Sequence, residues 1–280
     1  MRPAPDVPNV SAASPPGHGW YVYALVQPGD LAPPKGMDGN SPVTVLLSRG
    51  IGAVASVVPL AEFGSEALRR NLQDVGWLEE KVRRHERVVE ALLERGPVLP
   101  LRFGTIFLNV ERLLAVLAKN GSTFREALRY LAGKEEWGLK GLSHRASLRT
   151  ALVRGDPALL AQGAGGTGAS PGHRFFARRQ AEDLLAARSL EREVELADVA
   201  VAAVAPRVVR LVRNPVAVGI ASEGERLVLS LACLLERRAV DAFLEDVEHW
   251  NRDHRCDGFR LTASGPWPPY HFAAGLPADA

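Results

Sequence analysis

Residues 77–107 have the sequence WLEEKVRRHERVVEALLERGPVLPLRFGTIF, in which a helical pattern leads directly into a strand pattern. Residues of one helix face recur at spacings of four and three: Leu78, Val82, His85, Val89 and Leu92. Gly96-Pro97 ends this helix, and VLPLRFGTIF (98–107) predicts a strand or a pair of strands. The stretch therefore predicts a sheet with a helix packed on it.

Three apolar runs upstream of this helix predict further strands. They are WYVYALV (20–26), VTVLLS (43–48) and GAVASVVPL (52–60). The turn Arg49-Gly50-Ile51 is predicted to join the last two runs as a hairpin.

Helical signals continue downstream of the strand pattern. Asn109 has the position of a helix N-cap, and Gly121 has that of a C-terminal stop. Thr123 and Glu126 then have capping-box spacing ahead of a short helix, and EEWGLKGL (135–142) predicts another strand. The first half is thus predicted to be α+β, with helices on one face of a mostly antiparallel sheet.

The second half repeats this order of elements without visible sequence identity. A long helix over about 174–204 precedes the strands PRVVRLVRN and RLVLSLACLL, the helix RAVDAFLEDVEHWN and the strand GFRLTAS. We predict a disordered tail (1–19), an N-terminal domain (20–141), a Gly-rich linker region (142–172) and a C-terminal domain with an extended arm (173–280).

Composition is that of an ordinary globular protein. Of the 280 residues, 46% are hydrophobic and 24% charged, and the formal net charge of +2 favours neither nucleic acid nor an anionic membrane surface. Two cysteines, Cys233 and Cys256, suit a reducing compartment, and no apolar run reaches the roughly 18 residues of a spanning helix. We expect a cytoplasmic protein that binds neither nucleic acid nor membrane.

Three short patterns resemble parts of catalytic, cofactor or metal sites. GAGGTG (163–168) matches the dinucleotide fingerprint but lacks a buried strand before it, so we interpret it as a linker. The cluster of His249, His254 and Cys256 lacks the paired spacing of zinc ligands. His85-Glu86 lacks the second histidine of a zinc-protease motif, and its place on the apolar helix face predicts a core histidine. The prediction is that the protein has no catalytic, metal or cofactor-binding residues.

Large aromatic residues are the remaining candidates for interaction. Trp137, Trp267 and Tyr270 are predicted as interface anchors or as structural residues of their own domain, and burial is the commoner case. The last two belong to GPWPPYHF (265–272), whose prolines exclude a helix and predict an extended arm. The stripe Ala187, Leu190, Val194, Ala197, Val201 and Val204 is predicted to pack against its own sheet rather than in a coiled coil.

Four segments in this order resemble the signature blocks of the gas vesicle protein F/L family: HERVVEALL, GPVLPLRFGTIF, EEWGLKG and GPWPPYHF. The resemblance extends from about Trp20 to Phe272. The sequence departs from the family pattern at Phe175-Phe176, where a Tyr-Leu is common, and at Cys233-Leu234-Leu235, where a Tyr-Leu-Val is common. Both changes remove a hydroxyl and keep apolar side chains.

This resemblance implies two ferredoxin-like domains and a cytoplasmic, vesicle-associated accessory protein without catalytic activity. Its implied partners are the major gas vesicle shell protein, which is small and apolar, and other accessory proteins. We expect the N-terminal domain (20–141) to bind the shell subunit, and the arm to clamp the second domain through Trp267 and Tyr270. The alternative hypothesis is a small-molecule or metal-dependent enzyme on ferredoxin-like domains, a fold that hosts many functions.

Overall fold

The computed structural model describes residues 15–29, 35–39, 41–161, 170–216, 220–222 and 224–273. The chain forms two compact units. The first contains the residues up to Gly133 together with those from Pro268 onwards, and the second contains Lys134–Trp267.

The first unit contains a five-stranded antiparallel sheet. Its strands are β1 (His18–Val26), β2 (Thr44–Ser48), β3 (Ile51–Pro59), β4 (Val98–Pro100) and β5 (Ile106–Phe107). They are arranged in the order β2-β3-β1-β4, and β5 also pairs with β1. The predicted hairpin is present, with Arg49 and Gly50 both at positive φ between β2 and β3.

Helices of the first unit cover both faces of this sheet. They are α1 (Leu60–Phe63), α2 (Ser65–Asn71), α3 (Val75–Leu93) and α4 (Val110–Leu131). The apolar face of α3 packs on Tyr21, Tyr23 and Val54. Trp20 and Val22 alternate to the opposite face and are also buried, and α4 lies against the same strands. The expected packing on one face is therefore wrong for this unit.

One long helix replaces the two predicted after β5. Asn109 caps α4 by accepting a hydrogen bond from the Arg112 amide at 2.9 Å, as predicted. The helix nevertheless continues through Gly121, because the buried positions Leu117, Phe124 and Leu128 extend one apolar stripe across it. Burial of that stripe outweighs the cost of about 1 kcal/mol for a glycine inside a helix.

The second unit is ferredoxin-like. Its elements are β6 (Lys134–His144), α5 (Arg145–Gly155), α6 (Ala158–Ala161), α7 (Pro171–Val204), β7 (Val208–Arg213), β8 (Ile220–Ser222), β9 (Glu225–Glu236), α8 (Val240–Asp253) and β10 (Phe259–Trp267). The strands are antiparallel in the order β10-β6-β9-β7, which with α7 and α8 gives the βαββαβ arrangement. Leu196, Phe243 and Leu231 of α7, α8 and β9 share one core on one face of this sheet.

The predicted α+β class is confirmed, but the predicted domain bounds need correction. β6, assigned above to the N-terminal domain, pairs with β9 and β10 and is a central strand of the second unit. The predicted linker region 142–172 contains the end of β6, all of α5 and α6 and the start of α7, while GAGGTG lies outside the described residues. The tail predicted to reach residue 19 overlaps β1, which begins at His18. The arm beyond Trp267 belongs to the first unit, not the second.

Candidate functional site

An apolar groove of about 390 Å³ lies on the first unit. One wall is formed by α1 and α2 and the other by the residues leading into β5 and α4. The apolar side chains that line it are Leu60, Phe63, Leu68, Ile106, Phe107 and Leu108. The polar part of its lining includes Arg112 of α4. The groove thus combines an apolar floor with a charged residue.

Glycines shape this groove at two points. Gly104 has a φ of +83°, a backbone conformation that residues with a side chain rarely adopt. An added Cβ there would lie 3.2 Å from Leu68. An added Cβ at Gly19 of β1 would lie 3.0 Å from Leu60 and 3.1 Å from Ile106. The side chains of the two walls therefore approach each other where Gly19 and Gly104 have no side chain.

The wall beyond β4 is tied to β1 by hydrogen bonds. The amide of Leu101 donates to the Tyr23 carbonyl at 2.9 Å, and the amide of Val22 donates to the Thr105 carbonyl at 2.9 Å. The Gly104 amide donates to the Tyr21 hydroxyl at 3.1 Å. We call residues Leu101–Thr105 the groove turn.

Leu108 is the most exposed apolar side chain of the groove, at 64%. It lies between β5 and Asn109, the cap of α4, so its backbone is held on both sides. Leu108 therefore adds exposed apolar surface next to the groove.

A chain of hydrogen bonds runs behind the groove turn, and we call it the Tyr–His chain. The Tyr21 hydroxyl lies 2.9 Å from His85 Nδ1, and His85 Nε2 lies 3.0 Å from the Tyr270 hydroxyl. Tyr270 donates to Glu86 Oε1 at 2.9 Å. With the Gly104 amide at its other end, the chain links the groove turn, β1, α3 and the C-terminal segment.

Burial sets the protonation states of this chain. It lowers the pKa of His85 to about 4, so the imidazole is neutral at pH 7. It raises the pKa of Tyr21 and Tyr270 above the ordinary value, so both phenols keep their protons. It also raises the pKa of Glu86, although the hydrogen bond from Tyr270 opposes this shift.

A second polar cluster joins α1 to α3 beside the groove. Lys81 is 7% exposed, and its Nζ lies 2.9 Å from Glu62 Oε1, which also accepts from Trp77 Nε1 at 2.8 Å. The ammonium lies 5.5 Å from the ring centroid of Phe63 and 5.9 Å from that of Trp77. Burial opposes ionisation of Glu62, but the hydrogen bonds from Lys81 and Trp77 outweigh it and lower its pKa.

The three aromatic residues singled out in the sequence lie in different places. Tyr270 belongs to the first unit, through the Tyr–His chain. Trp267 ends β10 in the second unit, is 47% exposed and donates to Ser264 Oγ at 3.1 Å. Trp137 of β6 packs on the core of the second unit and donates to Glu135 Oε2 at 3.1 Å. Trp137 and Trp267 thus lie on the paired strands β6 and β10, where Trp267 is opposite Glu136, whereas Tyr270 belongs to the other unit.

The apolar stripe on α7 divides between core and surface. Ala197 and Val204 are buried and Val201 packs on the core, as expected. Leu190 and Val194 are 49% and 56% exposed, so the expectation is wrong for this part of the stripe. The exposed Phe175 and Phe176 lie nearer the start of the same helix.

The remaining site-like patterns have structural surroundings. His85 is a core histidine as predicted, but it has two side-chain partners. His254 stacks on Trp250 with ring centroids 3.6 Å apart, and its Nδ1 lies 3.0 Å from the Trp250 carbonyl oxygen. Within the described ranges, no group of three or more His, Cys, Asp or Glu side chains could hold a metal ion.

Comparison with protein families identifies the chain. The family model of the gas vesicle synthesis protein GvpL/GvpF matches residues 19–274. The chain belongs to this family. The match includes β1 from Gly19 onwards, the groove, the Tyr–His chain and the whole second unit. The family resemblance of the four sequence blocks is thereby confirmed.

Relatives with curated names are similar to this GvpL/GvpF chain over nearly the full length of both proteins. Gas vesicle protein L of Streptomyces sp. (strain CB03234) is 29% identical over 260 residues, covering 90% of this chain and 92% of the relative. Gas vesicle protein L1 of Halobacterium salinarum is 27% identical, covering 98% of both chains.

Two crystal structures share the fold. GvpF from Microcystis aeruginosa matches with a TM-score of 0.63 at 20% identity, covering 91% of this chain and 99% of that one. GvpF from Anabaena sp. PCC7120 matches with a TM-score of 0.61 at 21% identity, covering 92% and 96%. Among the described helices, none combines the length and hydropathy needed to cross a membrane.

Proposed function

We propose that the protein is a cytoplasmic, vesicle-associated assembly factor that binds the small apolar shell subunit through the groove of the first unit. It acts by binding and not by catalysis. The observation that carries this proposal is the groove itself, which presents Leu108 at 64% exposure in a member of a gas vesicle synthesis family.

The groove suits an apolar segment of a partner. A subunit with a large apolar surface aggregates in water unless that surface is covered. Leu60, Leu68 and Ile106 line the groove as partly exposed side chains, and Leu108 projects beside them. An amphipathic helix that places its apolar face there buries these residues together, the mode of helix-in-groove recognition.

Arg112 can determine the orientation in which a segment binds in the groove. It lies in the first turn of α4 and belongs to the groove lining. Its guanidinium is suited to a carboxylate at one end of the bound segment, which would set the orientation of an otherwise apolar contact. We therefore expect an acidic residue next to the apolar face of the bound segment.

Coexpression with the major shell subunit tests the proposal. The tagged chain is purified and the copurified subunit is quantified for wild type, Leu108→Asp and Leu72→Asp. Leu72 is 44% exposed in the same unit but does not line the groove, so it is the matched control. We expect Leu108→Asp to reduce copurification at least tenfold with an unchanged melting temperature, and Leu72→Asp to retain it.

A third variant distinguishes the groove from the exposed part of α7. Leu190→Asp changes a residue of similar exposure in the second unit. Loss of the subunit in Leu190→Asp, with retention in Leu108→Asp, would place binding on the second unit and refute the groove as the binding site.

A further inference from the structure

The C-terminal segment Pro268–Ala273 is docked on α3 of the first unit. Pro268 and Pro269 are buried, and Phe272 is 6% exposed. Three backbone hydrogen bonds form its turn. The amide of Tyr270 donates to the Pro268 carbonyl at 2.7 Å, and the amides of Phe272 and Ala273 donate to the Pro269 carbonyl at 3.2 Å and 2.8 Å. This turn presents the Tyr270 hydroxyl to both His85 and Glu86.

The number of hydrogens on each group determines which group donates and which accepts at every hydrogen bond of the Tyr–His chain. Tyr270 donates its only hydroxyl hydrogen to Glu86, so it accepts from His85 Nε2–H. A neutral imidazole has one N–H, so Nδ1 is an acceptor and receives the hydrogen of Tyr21. The Tyr21 oxygen then accepts from the Gly104 amide. Every hydrogen in the chain has one acceptor in this arrangement.

Tyr270 therefore selects the tautomer of His85. Without its hydroxyl oxygen, Nε2–H loses its acceptor in the Tyr–His chain, and the ring keeps Tyr21 and the backbone of Leu101 in the groove turn as partners. Transfer of the proton to Nδ1 would reverse the hydrogen bond with Tyr21. The Tyr21 hydrogen would then lose its acceptor, and the phenol would have to reorient beneath Gly104.

Aromatic packing extends this effect to both groove walls. Phe103, in the groove turn, contacts His85 and Tyr21 with ring centroids 6.0 Å and 6.1 Å away. Tyr21 also meets Phe63 of α1 edge-on at 6.0 Å. Phe63 lines one wall of the groove and Gly104 the other.

We propose that Tyr270 is a positioning residue for the groove, holding the groove turn in place through His85 and Tyr21. The C-terminal segment thereby sets the shape of a surface formed by residues more than 150 positions earlier in the chain. The consequence for subunit binding rests on the function proposed above, whereas the positioning of the groove turn does not.

Amide hydrogen exchange of the full chain, measured by NMR, tests the positioning directly. Tyr270→Phe keeps the ring and removes the hydroxyl. We expect the Gly104 amide to exchange at least tenfold faster in this variant, with Val54 of β3 as the reference amide. The matched control is Tyr23→Phe, because Tyr23 lies in the same aromatic cluster and bonds to Ser56 Oγ at 2.6 Å and the Met37 amide at 2.7 Å.

The outcomes separate this inference from the proposed function. Unchanged Gly104 exchange in Tyr270→Phe, or equal acceleration in Tyr23→Phe, overturns the positioning role. Faster exchange confined to Tyr270→Phe supports it. If subunit copurification is then unaffected by both Tyr270→Phe and Leu108→Asp, the groove is not the binding site, although Tyr270 still positions the turn.

Discussion

The hydroxyl of Tyr270 lies 3.0 Å from Nε2 of His85, although 185 positions separate the two residues in the chain. The rings lie nearly parallel, at 27° with centroids 6.4 Å apart. His85 is 1% exposed, so this contact gives Nε2 a hydrogen-bond partner inside the protein. The contact makes the segment Pro268–Ala273 part of the first unit, where a clamp on the second unit was expected.

Replacement of each aromatic residue of the arm by alanine should give unequal losses of stability. Tyr270→Ala removes the packing of the ring and the hydroxyl that bonds to His85 Nε2 and Glu86, so we expect a loss of about 3 kcal/mol. Trp267→Ala removes a side chain that is 47% exposed, so we expect about 1 kcal/mol. Urea denaturation of both variants measures the difference. A larger loss for Trp267→Ala would instead support the clamp on the second unit.

Much of the fold follows from local pattern. WYVYALV forms β1, and the amphipathic spacing after Trp77 forms α3. What the pattern does not contain is the partner of each strand. The strand containing Trp137 looks the same locally whether it closes the first unit or begins the second, and only its pairing with β9 and β10 assigns it.

Less of the candidate site than of the fold could be predicted from the sequence. The pattern predicted that His85 is a core residue, but not that its second nitrogen is satisfied by a tyrosine from the C-terminal segment. The groove has no sequence motif, because its walls come from α1, α2 and the residues around Leu108. Leu108 itself fits a structural role in the sequence, because an apolar residue directly before a helix cap such as Asn109 commonly packs on the first turns of the helix.

The pH dependence of stability should report the burial of His85. An unfolded histidine has a pKa of about 6.5, whereas burial lowers the pKa of His85 to about 4. Between these values the unfolded chain binds a proton that the folded protein does not. The free energy of unfolding should therefore fall by about 2 kcal/mol from pH 7 to pH 5, and be insensitive to this group above pH 7.

The matched measurement for this pH effect uses His85→Gln, which cannot titrate. Urea denaturation of wild type and variant at pH 7 and pH 5 gives a difference in which the carboxylate contributions cancel. A difference that is the same at both pH values would show that His85 titrates alike in the folded and unfolded states.

Removal of either partner of the Lys81–Glu62 pair should have unequal effects. Glu62→Gln leaves the Lys81 ammonium, 7% exposed, without a counter-charge, so we expect a loss of about 2–3 kcal/mol. Lys81→Met keeps the packing against Phe63, and the Glu62 side chain, 32% exposed, can bind water, so we expect a loss below about 1 kcal/mol. Thermal and urea denaturation at pH 7 check the order. Equal losses would mean that packing rather than charge dominates.

Gly258 of the second unit should tolerate no side chain, because its backbone lies against the start of α5. It has a φ of +68°, and an added Cβ would lie 2.3 Å from the Leu148 nitrogen, a backbone atom that no rotamer change can move away. Its carbonyl also accepts from the His144 amide at 2.8 Å.

We expect Gly258→Ala to lower stability by more than about 3 kcal/mol, through strain at positive φ and overpacking together. The matched control is Gly224→Ala, where φ is +80° and the nearest atom is 3.4 Å away, so only the cost of about 1–2 kcal/mol for positive φ applies. Similar losses in the two variants, measured by urea denaturation, would show that α5 can move away from β10 at little cost.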